Sequence, residues 1–282
     1  MKNQLVENGI IPSVNYHLWK TCNYQCKFCF GSFNDVKQNN LKQVEAENLL
    51  HKLVDFGFEK ITFSGGEPTL CPFLPKLLEI AKKGGMTTMI VTNGSKLDFN
   101  WLQSNNEFLD WIALSIDSVN IKTNSFSGRY SGKRIFDELQ YLTLIEMIKH
   151  FKYKLKINTV VSRFNFLENM NEFINKVNPD RWKIMQALPI KGQNDNQDFK
   201  ISLEEFNDFL KRHQRNQIVS ENNYEMKGSY VMIDPIGRFF NNSTGKHIYS
   251  SPIHKVGVRQ AMNEINYCFK KFINRNGLYD WK

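Results

Sequence analysis

No stretch of this 282-residue chain reaches the roughly 18 apolar residues that a membrane-spanning helix needs. The opening residues, Met1 to Ile11, include Asn3, Gln4, Glu7, Asn8 and Gly9 and lack the apolar core of a secretory signal. Cysteine is scarce: there are five, three of them crowded together, which is no secreted disulfide framework. Neither a solenoid-length repeat nor a low-complexity segment is present. Acids are outnumbered, 28 Asp plus Glu against 37 Lys plus Arg, for a net charge of +9. That excess favours an acidic partner, whether nucleic acid, anionic membrane or phosphorylated small molecule, without choosing among them. What the chain does have is core-forming material, 41% hydrophobic and 13% aromatic, so disorder is excluded. The length suits one large α/β domain. A protein of the cytoplasm is expected.

The three crowded cysteines are Cys22, Cys26 and Cys29, spaced C-x3-C-x2-C. Thiolates this close can converge on one metal centre. An iron–sulfur cubane normally takes four cysteines, so three leave one iron with an open position for chemistry. Zinc competes, but its sites usually close with a fourth Cys or His at short spacing. His17 lies in an apolar strand-like run and His51 inside a helical pattern. The remaining alternative is three ordinary buried thiols.

The rest of the chain alternates between strand and helix patterns. Strands are expected at Ser13–Trp19, Lys60–Phe63, Thr87–Thr92, Asp110–Ile116, Lys154–Val161 and Arg181–Leu188. Helices are expected at Lys42–Phe56, Pro72–Lys83, Ile135–Lys149, Leu167–Val177 and Leu203–His213. This βα alternation predicts a parallel sheet, a partial (βα)6 barrel. The expected division is a short tail over 1–12, a barrel core over 13–216 and an extension over 217–282 that closes the site. Within the extension a hairpin is expected near Ser229–Asn241, turning at Gly237, followed by short helices. Lys191–Lys200 is polar and reads as a mobile loop.

Side chains alternate along a strand with period two, and the helix-covered outer face should be apolar. Polar residues therefore mark the lumen: Lys60, Thr62 and Ser64; Lys154, Lys156 and Asn158; Arg181 and Lys183. Three strands present cations there and none presents an acid. Burying unpaired like charges is costly unless a polyanion completes them. A triphosphate fits a closed lumen better than a polymer does. Lys154, at its strand's start, is expected to reach solvent instead. Ser64-Gly65-Gly66-Glu67-Pro68 ends a strand on the side where such folds hold ligands, and Arg129 between glycines is a plausible anion fork.

The cysteine spacing, with an aromatic residue before the last Cys, resembles the signature of the radical S-adenosylmethionine superfamily. The segments NYHLWKTCNYQCKFCF, EKITFSGGEP, ALSIDS, LKINTVVSRFN, NPDRWKIMQ and MKGSYVMID, in that order from Ser13 to Trp281, resemble the viperin family more closely. The resemblance implies a nucleotide dehydratase using a 4Fe–4S cluster and S-adenosylmethionine. It implies that a ribonucleoside triphosphate, CTP first with UTP or GTP as alternatives, becomes its 3'-deoxy-3',4'-didehydro analogue. That product is a chain terminator serving antiviral or anti-phage defence. By the same resemblance Cys22, Cys26 and Cys29 hold the cluster. Gly65, Gly66, Glu67, Ser115 and Arg129 hold the methionine portion, and Phe28 lies by the adenine. Lys156, Arg181 and Lys183 hold the triphosphate, with Lys60, Ser64 and Asn158 nearby. Tyr230 stands near the ribose as the catalytic candidate. Glu221 and Asn222, in Ser220–Asn223, are candidates for reading the base. The implied partners are the nucleotide and an electron donor such as a flavodoxin or ferredoxin, with no nucleic acid and no membrane, and the expected state is a monomer. Two rival readings remain: a radical enzyme acting on RNA or a peptide, and a non-catalytic metal-binding nucleic-acid module.

Overall fold

The computed structural model describes residues 4–38, 40–195, 197–213 and 218–281. Its elements run α1 (Gln4–Glu7), β1 (Ser13–Trp19), α2 (Gln43–Phe56), β2 (Lys60–Gly65), α3 (Leu74–Lys83), β3 (Thr87–Thr92), α4 (Phe99–Asn105) and β4 (Trp111–Ser115). They continue with α5 (Ile121–Ser127), α6 (Glu138–His150), β5 (Lys154–Val161), α7 (Asn171–Val177), β6 (Arg181–Gln186), α8 (Leu203–Arg212) and β7 (Ile218–Glu221). Last come α9 (Asn223–Met226), β8 (Met232–Ile233), β9 (Arg238–Asn241), β10 (Ile248–Pro252), α10 (Ile253–Val256), α11 (Val258–Asn263) and α12 (Phe269–Asn274).

All ten strands form one sheet in the order β10-β9-β8-β1-β2-β3-β4-β5-β6-β7. Strands β1 to β7 are parallel, and β8 adds in parallel to the free edge of β1. Between β7 and β8 the chain returns from one edge to the other within residues 222–231. Laid flat, the seven gaps between those strands would span about 34 Å. The linking residues, four of them helical, reach only about 26 Å. The sheet must therefore curl, and a lumen follows from the chain's own length.

Local signals set the elements. Gly57, at φ +97°, ends α2 and donates to Leu53 and Val54. Asp137 and Gln140 form a capping box at the start of α6, as do Ser202 and Glu205 at α8. The apolar faces of these helices pack on the outward residues of β1–β6, with Ile61, Phe63, Ile90, Ile112, Leu155, Ile157, Trp182 and Ile184 all at most 1% exposed.

The fold departs from the sequence-based expectation in several places. The helix expected over Pro72–Lys83 begins at Leu74, behind a 3-10 turn over Pro68–Leu70; that over Leu167–Val177 begins at Asn171. The seven-residue helices α4 and α5 are too short for a 3.6-residue period to stand out. The alternation runs one strand further, to β7, and the expected boundary at 216/217 lies outside the described residues. The hairpin turning at Gly237 forms from β8 and β9, and β10 extends it. Lys191–Lys200 is not a loose loop over its described residues. Gln193 Oε1 accepts from Ser32 Oγ at 2.9 Å and Asn34 N at 3.0 Å, and Asn194 Nδ2 donates to the carbonyl of Phe28 at 2.9 Å. Among the described residues no helix is long and apolar enough to cross a membrane.

Candidate active site

One cavity of about 320 Å³ runs along the lumen, from the three cysteines at the strand C-termini to the C-terminal segment at the other end. Its upper wall is set by the turn after β2. Gly66 N donates to the carbonyl of Trp19 at 2.6 Å, and Glu67 N to that of Thr21 at 3.0 Å. A Cβ on Gly66 would overlap the carbonyls of Lys20 and Thr21, so the glycine lets β2 press against the residues that lead into Cys22. Glu67 is 1% exposed. Its carboxylate accepts from Thr69 N at 3.1 Å, Thr69 Oγ1 at 2.6 Å, Thr92 Oγ1 at 2.7 Å and Asn93 N at 2.8 Å. Arg129 is buried opposite. Its guanidinium lies 3.1 Å from Asp117 Oδ2 and 3.7 Å from Cys26 Sγ, and it donates to the carbonyl of Ser115.

The thiols line this cavity together. Burial pushes the Cys22 thiol up to about 11 and that of Cys26 to about 12. Among the described residues no group of three or more His, Cys, Asp and Glu converges tightly enough for a single metal ion. Ser64 Oγ, Arg129 Nε and Asn158 Oδ1 are buried without hydrogen-bond partners among the described residues, and all three residues line the cavity. Buried polar atoms left this way call for a ligand. The residues present fit the cluster and S-adenosylmethionine.

The lower lumen is cationic. Register sets Lys156 beside Arg181 and Asn158 beside Lys183 on adjacent strands. Lys60, Lys156, Arg181 and Lys183 all line the cavity, joined there by Arg275. Lys154 is exposed, 3.9 Å from Asp180, as its place at the strand start predicts. An acid enters the lumen from outside those three strands, β2, β5 and β6. Glu221, carried by β7, is 2.7 Å from Lys183 Nζ and 3.0 Å from Arg275 Nη1. Burial would raise its pKa, yet Lys183 and Arg275 take it down to about 2. Tyr230 completes the group, receiving a hydrogen bond from Lys183 and donating one to Glu221, with Arg275 stacked 3.7 Å from its ring centre. Burial brings the Lys183 ammonium down to about 8 despite Glu221. Burial, then Lys183, Lys60 and Arg181, hold Lys156 well below the usual lysine range.

The C-terminal segment forms the floor. Lys60 donates to Tyr279 Oη and faces the rings of Tyr279, Trp281 and Trp111. Arg181 stacks 3.9 Å from the Tyr279 ring centre and donates to the carbonyl of Asn276 at 2.9 Å. Trp111 Nε1 donates to the carbonyl of Trp281 at 2.9 Å.

The cavity thus brings together Cys22, Cys26, Phe28, Cys29, Lys60, Ser64, Gly65, Gly66, Glu67, Ser115, Arg129, Lys156, Asn158, Arg181, Lys183, Glu221 and Tyr230. Asn222 is not brought there. Its Oδ1 caps α9, accepting from Tyr224 N at 2.9 Å and Glu225 N at 3.0 Å. Sequence reasoning missed Asp117, Arg275, Tyr279 and Trp281. Asp117 was visible at a strand end without an assigned role. The others follow the periodic part of the chain, where no pattern points inward.

The model of the Radical SAM superfamily matches residues 16–177. An S-adenosylmethionine-dependent nucleotide dehydratase of Flammeovirga pacifica is 49% identical, over 99% of this chain and 100% of its own length. One from Lacinutrix mariniflava is 52% identical over 96% of this chain, which spans 59% of that longer relative. Among solved structures, Streptococcus suis SuiB bound to S-adenosylmethionine has a TM-score of 0.66 at 18% identity, over 98% of this chain and 68% of that one, a likeness of fold. The chain belongs to the Radical SAM superfamily and, within it, to the S-adenosylmethionine-dependent nucleotide dehydratases, enzymes that work with a 4Fe–4S cluster and S-adenosylmethionine.

Proposed function

We propose that the substrate is a ribonucleoside triphosphate, with CTP first, and that the product is its 3'-deoxy-3',4'-didehydro analogue, a chain terminator in antiviral defence. The observation that carries this reading is the charge of the lower lumen. Lys60, Lys156, Arg181, Lys183 and Arg275 line it around the carboxylate of Glu221, in the cavity that also holds the three cysteines. Such a set is stable when a polyanion joins it. A peptide substrate gives no reason for five cations.

When bound at the rim, the cluster and S-adenosylmethionine supply the hydrogen-abstracting chemistry. The chain's residues do the positioning. Cys22, Cys26 and Cys29 hold the cluster. Gly65, Gly66, Glu67, Ser115 and Arg129 hold the methionine portion, with Phe28 beside the adenine. The five cations anchor the triphosphate at depth. Ser64 Oγ and Asn158 Oδ1, without hydrogen-bond partners among the described residues, share the lumen face with the cations, Asn158 in register with Lys183, and are free to bond the nucleotide. Burial holds the Tyr230 phenol well above its usual range, so it stays protonated as a hydrogen-bonding group beside the site. Glu221 is committed to ion pairs, and Asn222 to its cap, so the base is read elsewhere.

The test is anaerobic reconstitution with dithionite and S-adenosylmethionine, offering CTP, UTP, GTP and ATP singly. One nucleotide should raise 5'-deoxyadenosine well above background and yield a product lighter by one water. If all four leave 5'-deoxyadenosine at background, the triphosphate reading is wrong.

A further inference from the structure

The outer face of the cysteine loop carries features that catalysis does not use. The last turn of α5 is stitched to that loop: Gln25 N donates to the carbonyl of Gly128 at 3.1 Å, and Lys27 N to that of Ser127 at 2.9 Å. Gly128, at φ +82°, permits this contact, since a Cβ there would overlap the Gln25 carbonyl. Cys26 sits between those two backbone bonds.

The outward side of this turn carries one large apolar side chain next to a cation: Phe126, 67% exposed, one helical turn from Lys122, with Ile121, 49% exposed, on the far flank of the helix. Thr123 Oγ1 donates to Glu168 at 2.5 Å, which ties α5 to the segment bearing Leu167, 73% exposed. Neighbouring large apolar side chains left in water mark an interaction surface. Cations surround them. Lys27 and Lys122 are exposed and have no carboxylate partner among the described residues, and Lys122 lies one helical turn from Phe126. The whole stretch Asn120–Phe136 contains Lys122, Arg129, Lys133 and Arg134 and no acid. Of these only Arg129 turns inward. The bordering acids are engaged, Glu168 by Thr123 and Asp198 by Arg163.

We infer that this face docks a small acidic one-electron carrier protein, which reduces the cluster through the Gly128–Cys26 contact. The inference rests on Cys22, Cys26 and Cys29 being the cluster ligands. One electron leaves the carrier's reduced centre and one enters the cluster, and no bond forms or breaks. Electron transfer falls steeply with distance, so the carrier belongs where its surface comes nearest a ligand thiol. The opposite flank, beyond Cys29, is filled by Phe30, Phe33, His17 and His247. An exposed aromatic among unpaired charges of one sign suits a weak, fast, electrostatically steered encounter.

The experiment uses the reconstituted holoenzyme and a reduced acidic flavodoxin, compared with dithionite. Two measurements are made on the wild type and on K122E/F126S: 5'-deoxyadenosine formation against flavodoxin concentration, and calorimetric binding of oxidised flavodoxin at low and high salt. The double variant should need on the order of tenfold more flavodoxin for half its maximal rate. Its dithionite-driven rate and iron content should match the wild type, and wild-type binding should weaken with salt. Unchanged flavodoxin dependence and binding in the variant would overturn the inference. So would a single-stranded oligonucleotide that displaces flavodoxin from the wild type and binds the face more tightly. If dithionite itself yields no 5'-deoxyadenosine, the cofactor reading has failed, and the binding measurement still decides the docking face.

Discussion

A lysine buried among other cations needs either a carboxylate or an incoming anion, and the lower lumen supplies one case of each. Lys183 has Glu221 at 2.7 Å, whereas Lys156 has no ion pair among the described residues. Glu221 therefore pairs the lumen's cations in the nucleotide-free enzyme and would compete with phosphates for Lys183 and Arg275. Its replacement separates those two effects. Glu221→Gln should destabilise the free enzyme by about 3 kcal/mol, the scale of breaking a buried ion pair. A bound triphosphate then replaces the lost carboxylate, so the thermal shift on adding nucleotide should exceed that of the wild type. A smaller shift in the variant would mean that Glu221 contacts the nucleotide favourably. The cations were legible in the sequence because strand periodicity sorts Lys60, Lys156, Arg181 and Lys183 onto one face. Glu221 was not identified as their counter-ion, because β7 is four residues long and a period of two hardly shows in it.

At the scale of elements, the turn after β2 and the C-terminal segment do different work. The turn fixes the cysteine loop through backbone contacts that tolerate no Cβ at residue 66. Gly66→Ala should cost about 3 kcal/mol by overpacking and should lower the iron retained after reconstitution. Gly85→Ala is the control: Gly85, at φ +81°, meets nothing within 4 Å, so only the backbone penalty of about 1 kcal/mol remains and iron content should hold. Equal iron loss in both would place the effect in general destabilisation. A chain ending at Asn274 loses Arg275, Tyr279 and Trp281, and with them the floor. It should retain slow S-adenosylmethionine cleavage under dithionite while losing stimulation by nucleotide. Stimulation that survives would remove the segment from the site. The Gly-Gly-Glu turn was readable because its residue types are unusual at a strand end. The floor was not, since Asn276 to Trp281 follow no repeat and acquire their role only through contacts with Lys60, Trp111 and Arg181.

For the molecule as a whole, the sequence determines more of the barrel than of its closure. Strands β1 to β6 and most of their helices were visible as alternating periods. The return from β7 to β8 was not, because it depends on which edge remains free once the sheet has assembled. That closure buries the lumen's lysines, and their burial has a measurable consequence. Burial and mutual repulsion hold Lys60 and Lys156 well below the usual lysine range, and burial brings Lys183 to about 8. A triphosphate favours the charged form of all three, so each pKa rises on binding. More protons are then bound in the complex than in the free enzyme. Affinity should be greatest below pH 8 and should fall as pH climbs from about 8 toward the ordinary lysine value near 10.5. Calorimetric titration of the nucleotide at pH 8, in buffers of high and low ionisation enthalpy, reads the proton count directly. Net uptake is expected in the wild type and should be smaller in Lys156→Met, which keeps the stem and removes the titrating group. An observed enthalpy that is the same in every buffer would show that these lysines are already charged in the empty lumen, and the electrostatic account of the pocket would then be wrong.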